Sequence, residues 1–129
     1  MSPNTILPFA DWLAEQCEFL RNIETEAERV LHQKKYSGKY TVLMRQKALF
    51  LHGLHSNAQS LAATLPAVAA DIAMPRLEQF SLNAARALKI DSIFYMYALL
   101  YPDDHIKGQP NNLELLADEI RTLAERTDV

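Results

Sequence analysis

Two histidines three residues apart are the clearest candidates for a metal site in this sequence. His52 and His55 are spaced so that both rings can lie on one face of a helix. A metal site needs a further ligand, and the chain has neither the Glu-x-x-His motif of di-iron bundles nor the His-Glu-x-x-His motif of zinc proteases. We therefore expect no metal and no other cofactor. His55 also falls on an apolar seam, where a core histidine is the simpler interpretation.

An aromatic segment followed by a polar loop is the second group that could form a site. Tyrosines at helical spacing usually belong to the core, where their hydroxyls find a partner. The functional interpretation is a pocket in which Tyr97, Tyr101 and His105 meet Arg45 or His52 of the second helix. A small polar site inside an apolar bundle is the common form of a ligand pocket. The candidate ligand-binding residues are Arg45, His52, His55, Tyr97, Tyr101 and His105.

Charge is segregated along the chain, although the net charge is only −3. Residues 1–30 carry six acidic and two basic side chains, whereas residues 31–60 carry five basic side chains and no acidic one. One interpretation is internal complementarity, with a basic second helix packed beside acidic helices. The other is an anion site, and its candidate residues are Lys34, Lys35, Lys39, Arg45 and Lys47. The overall acidity argues against nucleic acid as the anion.

Other classes of chemistry find no support in the sequence. The chain lacks the Gly-x-Ser-x-Gly, Gly-x-Gly-x-x-Gly and Walker motifs. Cys17 is the single cysteine, so it forms neither an internal disulfide nor a paired-cysteine zinc site, and we expect a cytoplasmic protein. We find no secretory signal, and the apolar run 93–101 is too short to cross a membrane.

The elements that must position these residues are helices. The chain has only three glycines and no strand-length alternation, and residues that favour helix dominate. Apolar seams in steps of three and four, opened by Phe9 and Met44, predict long helices over residues 8–36 and 39–65. Proline at 66 and 75 predicts a short helix over 67–73 and a new one over 75–89.

Three further elements follow towards the carboxyl end. Asp91 or Ser92 is a candidate N-cap for an apolar helix that continues to about residue 101 and should be buried all round. A polar loop covers residues 102–110. Asn111 and Glu114 have the spacing of a capping box in front of a last helix over 112–126.

These elements predict an all-α fold: one domain over residues 1–129, built as an up-and-down bundle of four to six helices with a long N-terminal helix hairpin. The first helix would be about 42 Å long, whereas a compact sphere of this chain length is roughly 36 Å across. Its excess length offers surface to a partner, and a homodimer is the simplest partner. Our leading hypothesis is a non-enzymatic protein that acts through protein–protein contacts, as a homodimer or a small adaptor. The alternatives are a metal- or small-ligand-binding enzyme in the bundle core, and an anion or nucleic-acid binder through the basic second helix.

Overall fold

The computed structural model describes residues 5–33 and 38–127, and over these residues it confirms the all-α bundle. Five helices and no strands are formed in the described part of the chain. They are α1 (Ile6–Leu31), α2 (Lys39–Ala62), α3 (Ala67–Lys89), α4 (Ile93–Ala98) and α5 (Asn112–Thr127).

Four of the helices form an antiparallel bundle in the order α1, α2, α3, α5, with α5 returning to α1. Phe19 of α1 stacks on Phe50 of α2. Glu24, about one turn later in α1, meets Lys47, about one turn earlier in α2, so these two helices run in opposite directions. The short helix α4 packs on α2 and α3 at one end of the bundle. This end holds the last turns of α1 and α3 and the first turns of α2 and α5.

The core consists of the predicted apolar seams. Leu13 and Leu20 of α1, Leu51 of α2, Leu77 of α3 and Leu116 of α5 are all fully buried. Burying each such side chain contributes about 1.5–3 kcal/mol. The seams therefore hold the four long helices together, and they fix which turns of α1 and α2 face each other.

The two long helices end earlier than their seams predict. α1 stops at Leu31 and α2 at Ala62. Beyond Leu31 the side chains of residues 32 and 33 are exposed and offer no apolar surface to bury. At the end of α2, the hydroxyl of Thr64 donates to the carbonyl of Leu61, and the turn closes just before Pro66. The last three residues of the predicted helix, 34–36, lie outside the described residues.

The prediction of two separate helices around Pro75 is wrong, because α3 continues through that residue. Proline removes one backbone hydrogen bond, the one to the carbonyl of Asp71, and Asp71 lies on the solvent side of the helix where water can replace it. Ala69, Ala73 and Leu77 remain buried along one face across the proline. Packing against α2 therefore outweighs the local cost.

The prediction for α4 is correct for its start and wrong for its length and burial. The hydroxyl of Ser92 accepts a hydrogen bond from the backbone N–H of Tyr95 at 3.2 Å, as an N-cap does. The helix ends at Ala98, and only Met96 is buried within it; Phe94 is 71% exposed. One turn and a half of helix cannot hide all its faces at the edge of a bundle. No helix in the described part of the chain has the length and apolarity needed to span a bilayer.

Candidate functional site: a cavity with a buried lysine

A cavity of about 580 Å³ lies at the end of the bundle where α4 packs. Its walls come from the second half of α1, the first turns of α2, α4 and the loop 101–108. The apolar part of the lining is aromatic and aliphatic: Ala27, Leu31, Tyr40, Met44, Phe94, Tyr97, Ala98 and Tyr101. The volume falls within the range of about 300–1,000 Å³ that is typical of small-molecule sites.

We call the buried side of the cavity, which is lined by Lys47, Glu24 and Tyr101, its floor. Lys47 is only 1% exposed. Its ammonium donates to the backbone carbonyl of Tyr97 at 2.8 Å and to Glu24 Oε2 at 3.0 Å. Nζ also lies 4.9 Å from the centre of the Tyr101 ring, within range of a cation–π contact. An ammonium has three donors, so one N–H remains for this aromatic face or for a ligand. Burial lowers the pKa of Lys47, and the neighbouring Glu24 carboxylate opposes that effect.

Tyr101 completes the floor of the cavity. Its hydroxyl donates to both carboxylate oxygens of Glu24, at 2.8 and 2.7 Å. Burial, followed by the hydrogen bond to Glu24, raises the pKa of Tyr101 well above its ordinary value, so the phenol stays protonated. Glu24 therefore accepts from an ammonium and from a phenol at the same time.

Arg21 links this floor to the last helix. Its guanidinium donates two hydrogen bonds to the Glu114 carboxylate, from Nε at 2.8 Å and from Nη2 at 2.6 Å. Nη2 also donates to the carbonyl of Gln109. The paired guanidinium lowers the pKa of Glu114. Bidentate contacts of this kind fix the relative orientation of the two side chains. They therefore hold α5 and the preceding loop against α1 beside the cavity.

Local sequence features explain how these side chains reach one place. Lys47 is three residues after Met44 and four before Leu51, so it lies on the buried face of α2. Glu24 is four residues after Leu20 and lies on the corresponding face of α1. Because α1 and α2 are antiparallel, these two positions meet.

The turn after α4 brings Tyr101 back to the cavity. Leu100 has a φ of 75°, a left-handed conformation that is strained for a leucine. It is held there because its side chain is buried and its carbonyl accepts from the N–H of Asn112 at 2.9 Å. Asn111 and Glu114 then form the predicted capping box, with both reciprocal hydrogen bonds at 2.9 Å.

The rim of the cavity is polar. Lys107 is 89% exposed and pairs with Glu28 at 3.0 Å. The ring of His105 lies edge-on to Tyr101, and its Nε2 is 3.0 Å from the carbonyl of Gln109. His32 also lines the cavity.

No known protein family, curated protein or solved structure matches this chain.

The structure brings some of the predicted ligand-binding residues together. Tyr97, Tyr101 and His105 line the same cavity. Arg45 does not line it and pairs with Asp91 instead, at 2.7 Å.

The two histidines of α2 do not line the cavity either. The side chain of His52 is exposed, and His55 is half-buried. The backbone N–H of His55 donates to the hydroxyl of Ser81, which donates in turn to the carbonyl of Leu51. Within the described residues, no three His, Cys, Asp or Glu side chains converge as metal ligands would.

The candidate anion-binding lysines are also dispersed. Lys34 and Lys35 lie outside the described residues. Lys39 is exposed at the start of α2, whereas Lys47 is buried and paired with an acidic side chain. Over the described residues, Lys47 therefore belongs to the cavity floor and not to a solvent-facing basic surface.

Sequence reasoning missed Arg21, Glu24 and Glu114 as site residues. The signal that was present is an acidic residue on the apolar seam of α1 and a basic residue on that of α2, since each interrupts an otherwise apolar face. Cys17 offers no nucleophile, because burial raises the pKa of its thiol to about 12.

Proposed function

We propose that this protein binds a small organic molecule in the cavity between α1, α2 and α4. The main support for the proposal is the buried ammonium of Lys47 in the cavity floor. A buried ion pair adds little to stability compared with apolar residues of the same volume. The presence of the Lys47–Glu24 pair beside a cavity is therefore better explained by binding of a ligand's polar group.

The lining indicates the kind of ligand that fits. Tyr40, Phe94 and Tyr97 offer aromatic faces to a flat or apolar body. Lys47 and Glu24 offer a donor and an acceptor at the floor. The ligand is therefore a molecule with an aromatic or apolar body and one polar end group, and its body lies towards α4.

Titration of isotope-labelled protein with ring-bearing fragments tests this proposal. Benzoate, benzylamine and benzyl alcohol share a ring and differ in the charge of the end group. We expect NMR shift changes that saturate and that concentrate on residues lining the cavity, with Kd on the order of 1 mM for molecules this small.

A pair of tryptophan variants controls the titration. Thr25 is exposed and lines the cavity, whereas Asn22 is exposed on the same helix and does not line it. Thr25→Trp should occupy the cavity and abolish the saturable shifts, while Asn22→Trp should leave them unchanged. Fragment shifts scattered over the surface, or shifts that persist in Thr25→Trp, would overturn the proposal.

A second candidate function is self-association through the outer face of the α1–α2 hairpin. Phe19 is 50% exposed and stacks on Phe50 with ring centres 4.6 Å apart. Val42 and Leu49, seven residues apart on α2, are 53% and 59% exposed. Large apolar side chains that are exposed on α1 and α2 favour a protein partner.

Charge favours a second copy of this chain as that partner. A two-fold axis along the helices would place α1 of each copy over α2 of the other. Glu15 and Glu18 of α1 have no ion-pair partner among the described residues, and α2 contains no acidic residue and begins with exposed Lys39. The acidic side of one copy would thus face the basic side of its partner.

Sedimentation velocity over a concentration series tests self-association. Leu49→Glu should shift the wild-type dimer to a monomer. Leu115→Glu is the matched control, because Leu115 is 52% exposed, close to the 59% of Leu49, but lies on α5. A wild-type protein that stays monomeric at high concentration would eliminate this candidate, as would equal effects of the two substitutions.

We also propose a cytoplasmic location. Cys17 is a free, buried thiol, which a reducing compartment preserves. Fractionation of cells that express the protein, with detection in the cytoplasmic fraction, is the expected result. Recovery from a membrane or extracellular fraction would contradict it.

A further inference from the structure

Two lysines belong to the same cavity and sit in opposite surroundings. Lys47 lies in the floor at 1% exposure, and Lys107 lies at the rim at 89% exposure. Each has one glutamate oxygen 3.0 Å from its nitrogen, Glu24 for Lys47 and Glu28 for Lys107. The two amines therefore differ in burial while they share the type and distance of their acidic partner.

We propose that Lys47 forms a Schiff base with an aldehyde-bearing ligand of this cavity. The inference rests on the proposed ligand binding and adds a covalent step to it. Its basis is geometric: a buried amine in an aromatic-lined cavity, a carboxylate in contact with that amine, and a phenol in contact with the carboxylate. Lysines are activated as nucleophiles in such desolvated pockets and beside other cations.

The atoms and charges of the step balance within the site. Glu24 takes a proton from the ammonium of Lys47, and the freed lone pair of the nitrogen forms a bond to the carbonyl carbon. A proton moves from nitrogen to the former carbonyl oxygen and gives a carbinolamine. Glu24 returns its proton to that hydroxyl, which leaves as water while the nitrogen lone pair forms the C=N bond. The product is an iminium that keeps the positive charge of Lys47 beside the Glu24 carboxylate.

The surrounding groups favour reaction at Lys47 over Lys107. Burial lowers the pKa of Lys47, the contact with Glu24 opposes part of that effect, and the Arg21 guanidinium adds a smaller lowering. The hydrogen bond from Lys107 to Glu28 raises the pKa of that exposed amine. At neutral pH a larger fraction of the buried amine is therefore uncharged and nucleophilic.

The hydrogen bonds of the floor also orient the amine. The carbonyl of Tyr97 and the Glu24 carboxylate hold Nζ at two sides. The Tyr101 hydroxyl, which bonds to both Glu24 oxygens, keeps that carboxylate facing the nitrogen. Tyr101 is thus a positioning residue for the carboxylate.

Reductive trapping with benzaldehyde and cyanoborohydride at neutral pH tests the inference. Reduction converts the imine to a stable benzyl amine, and peptide mass analysis locates it. We expect Lys47 to be modified about tenfold faster than Lys107 or more, because the cavity would hold the aldehyde beside the buried amine. In concentrated guanidinium chloride the two rates should become equal, because the cavity is lost.

Variants and a non-carbonyl fragment make each outcome decisive. Lys89→Met, at an exposed position of α3 outside the cavity, should leave the modification of Lys47 unchanged, and Thr25→Trp should suppress it. The main comparison is made within the wild-type chain, so it does not depend on whether Lys47→Met folds. If benzyl alcohol shifts the cavity residues but Lys47 reacts no faster than Lys107, the Schiff base is excluded and the proposed binding stands. If neither occurs, both proposals fail.

Discussion

The ion pair between Glu24 and Lys47 places two charges on the faces of α1 and α2 that otherwise hold the bundle together. Taking a lysine out of water costs several kcal/mol, which a single partner rarely offsets. Here the offset is shared, because the carbonyl of Tyr97 and the hydroxyl of Tyr101 also bind the pair. The pair is consequently sensitive to the loss of either member.

Removing the carboxylate should destabilise the fold more than removing the amine. Glu24→Gln leaves Lys47 buried without a counter-ion, and we expect a loss of about 3 kcal/mol in the free energy of unfolding. Lys47→Met should cost less, because Glu24 keeps Tyr101 and lies 3.7 Å from Arg21. Urea denaturation of each variant measures both changes.

The double variant provides the control for that pair. Glu24→Gln combined with Lys47→Met replaces both charges, so it should recover most of the stability that Glu24→Gln loses. Additive losses in the double variant would mean that the two side chains are not coupled, which would contradict the contact between Lys47 and Glu24.

Glu114 gives the fold a dependence on acid. Its pKa is lowered in the folded protein by Arg21, so its contribution to stability is present above its ordinary value of 4.5 and is lost as the pH falls through the lowered folded value. We expect Glu114→Gln to be less stable than wild type at neutral pH and to lose less stability on acidification below pH 4.5. Urea midpoints measured across this range provide the readout.

Glu15→Gln is the matched control for this dependence. Glu15 is exposed, and none of the described residues pairs with it. Its replacement should leave the acid profile of the wild-type protein unchanged. An acid profile of Glu114→Gln that superimposes on the wild type would remove the Arg21–Glu114 contact as the cause.

The composition of the site was partly predictable from single residues. Tyr97, Tyr101 and His105 were recognised because aromatic and polar residues cluster beside a loop. The charge of Lys47 predicts an anion-binding surface, whereas its position between Met44 and Leu51 on the apolar seam of α2 predicts burial. The pairing of Glu24 with Lys47 depends on the register between α1 and α2, which residue types alone do not specify.

Among the helices, α3 and α4 are the two in which tertiary packing outweighs the preference of the local sequence. Pro75 predicts a helix boundary, yet the continuous buried face of α3 carries the helix through it. The apolar composition of α4 predicts burial, yet its position at the bundle edge leaves Phe94 exposed. Both outcomes depend on tertiary packing, whereas the Ser92 cap and the Asn111–Glu114 box depend on local hydrogen bonds and were predicted.

Replacement of Pro75 should stabilise the protein. Pro75→Ala restores the backbone hydrogen bond to Asp71 and removes the steric conflict with the preceding turn, and we expect a gain of about 1–2 kcal/mol after the greater freedom of the unfolded chain is subtracted. Thermal and urea unfolding measure the change.

Pro66→Ala is the comparison for Pro75→Ala. Pro66 occupies the N-cap position of α3, where its missing N–H lies outside the helix. Its replacement should give no gain. A loss of stability in Pro75→Ala would show that the fold depends on the altered helix geometry at that position.

At the scale of the whole molecule, the bundle places its two proposed activities on different surfaces. The cavity opens at the end that carries α4, whereas Phe19 of α1 and Leu49 of α2 are exposed and do not line it. The bundle and the hairpin followed from seam periodicity. The cavity did not, because it forms where α4 and the loop to α5 cross the end of the bundle.

Titration of the lysine side chains by NMR, with isotope-labelled lysine, tests whether Lys47 is buried beside Glu24 in the cavity floor. We expect Lys47 to titrate below its ordinary value of 10.5 and Lys107, at the rim of the same cavity, to titrate above it. A Lys47 side chain that titrates together with Lys107, or above it, would show that the amine is not buried in this way.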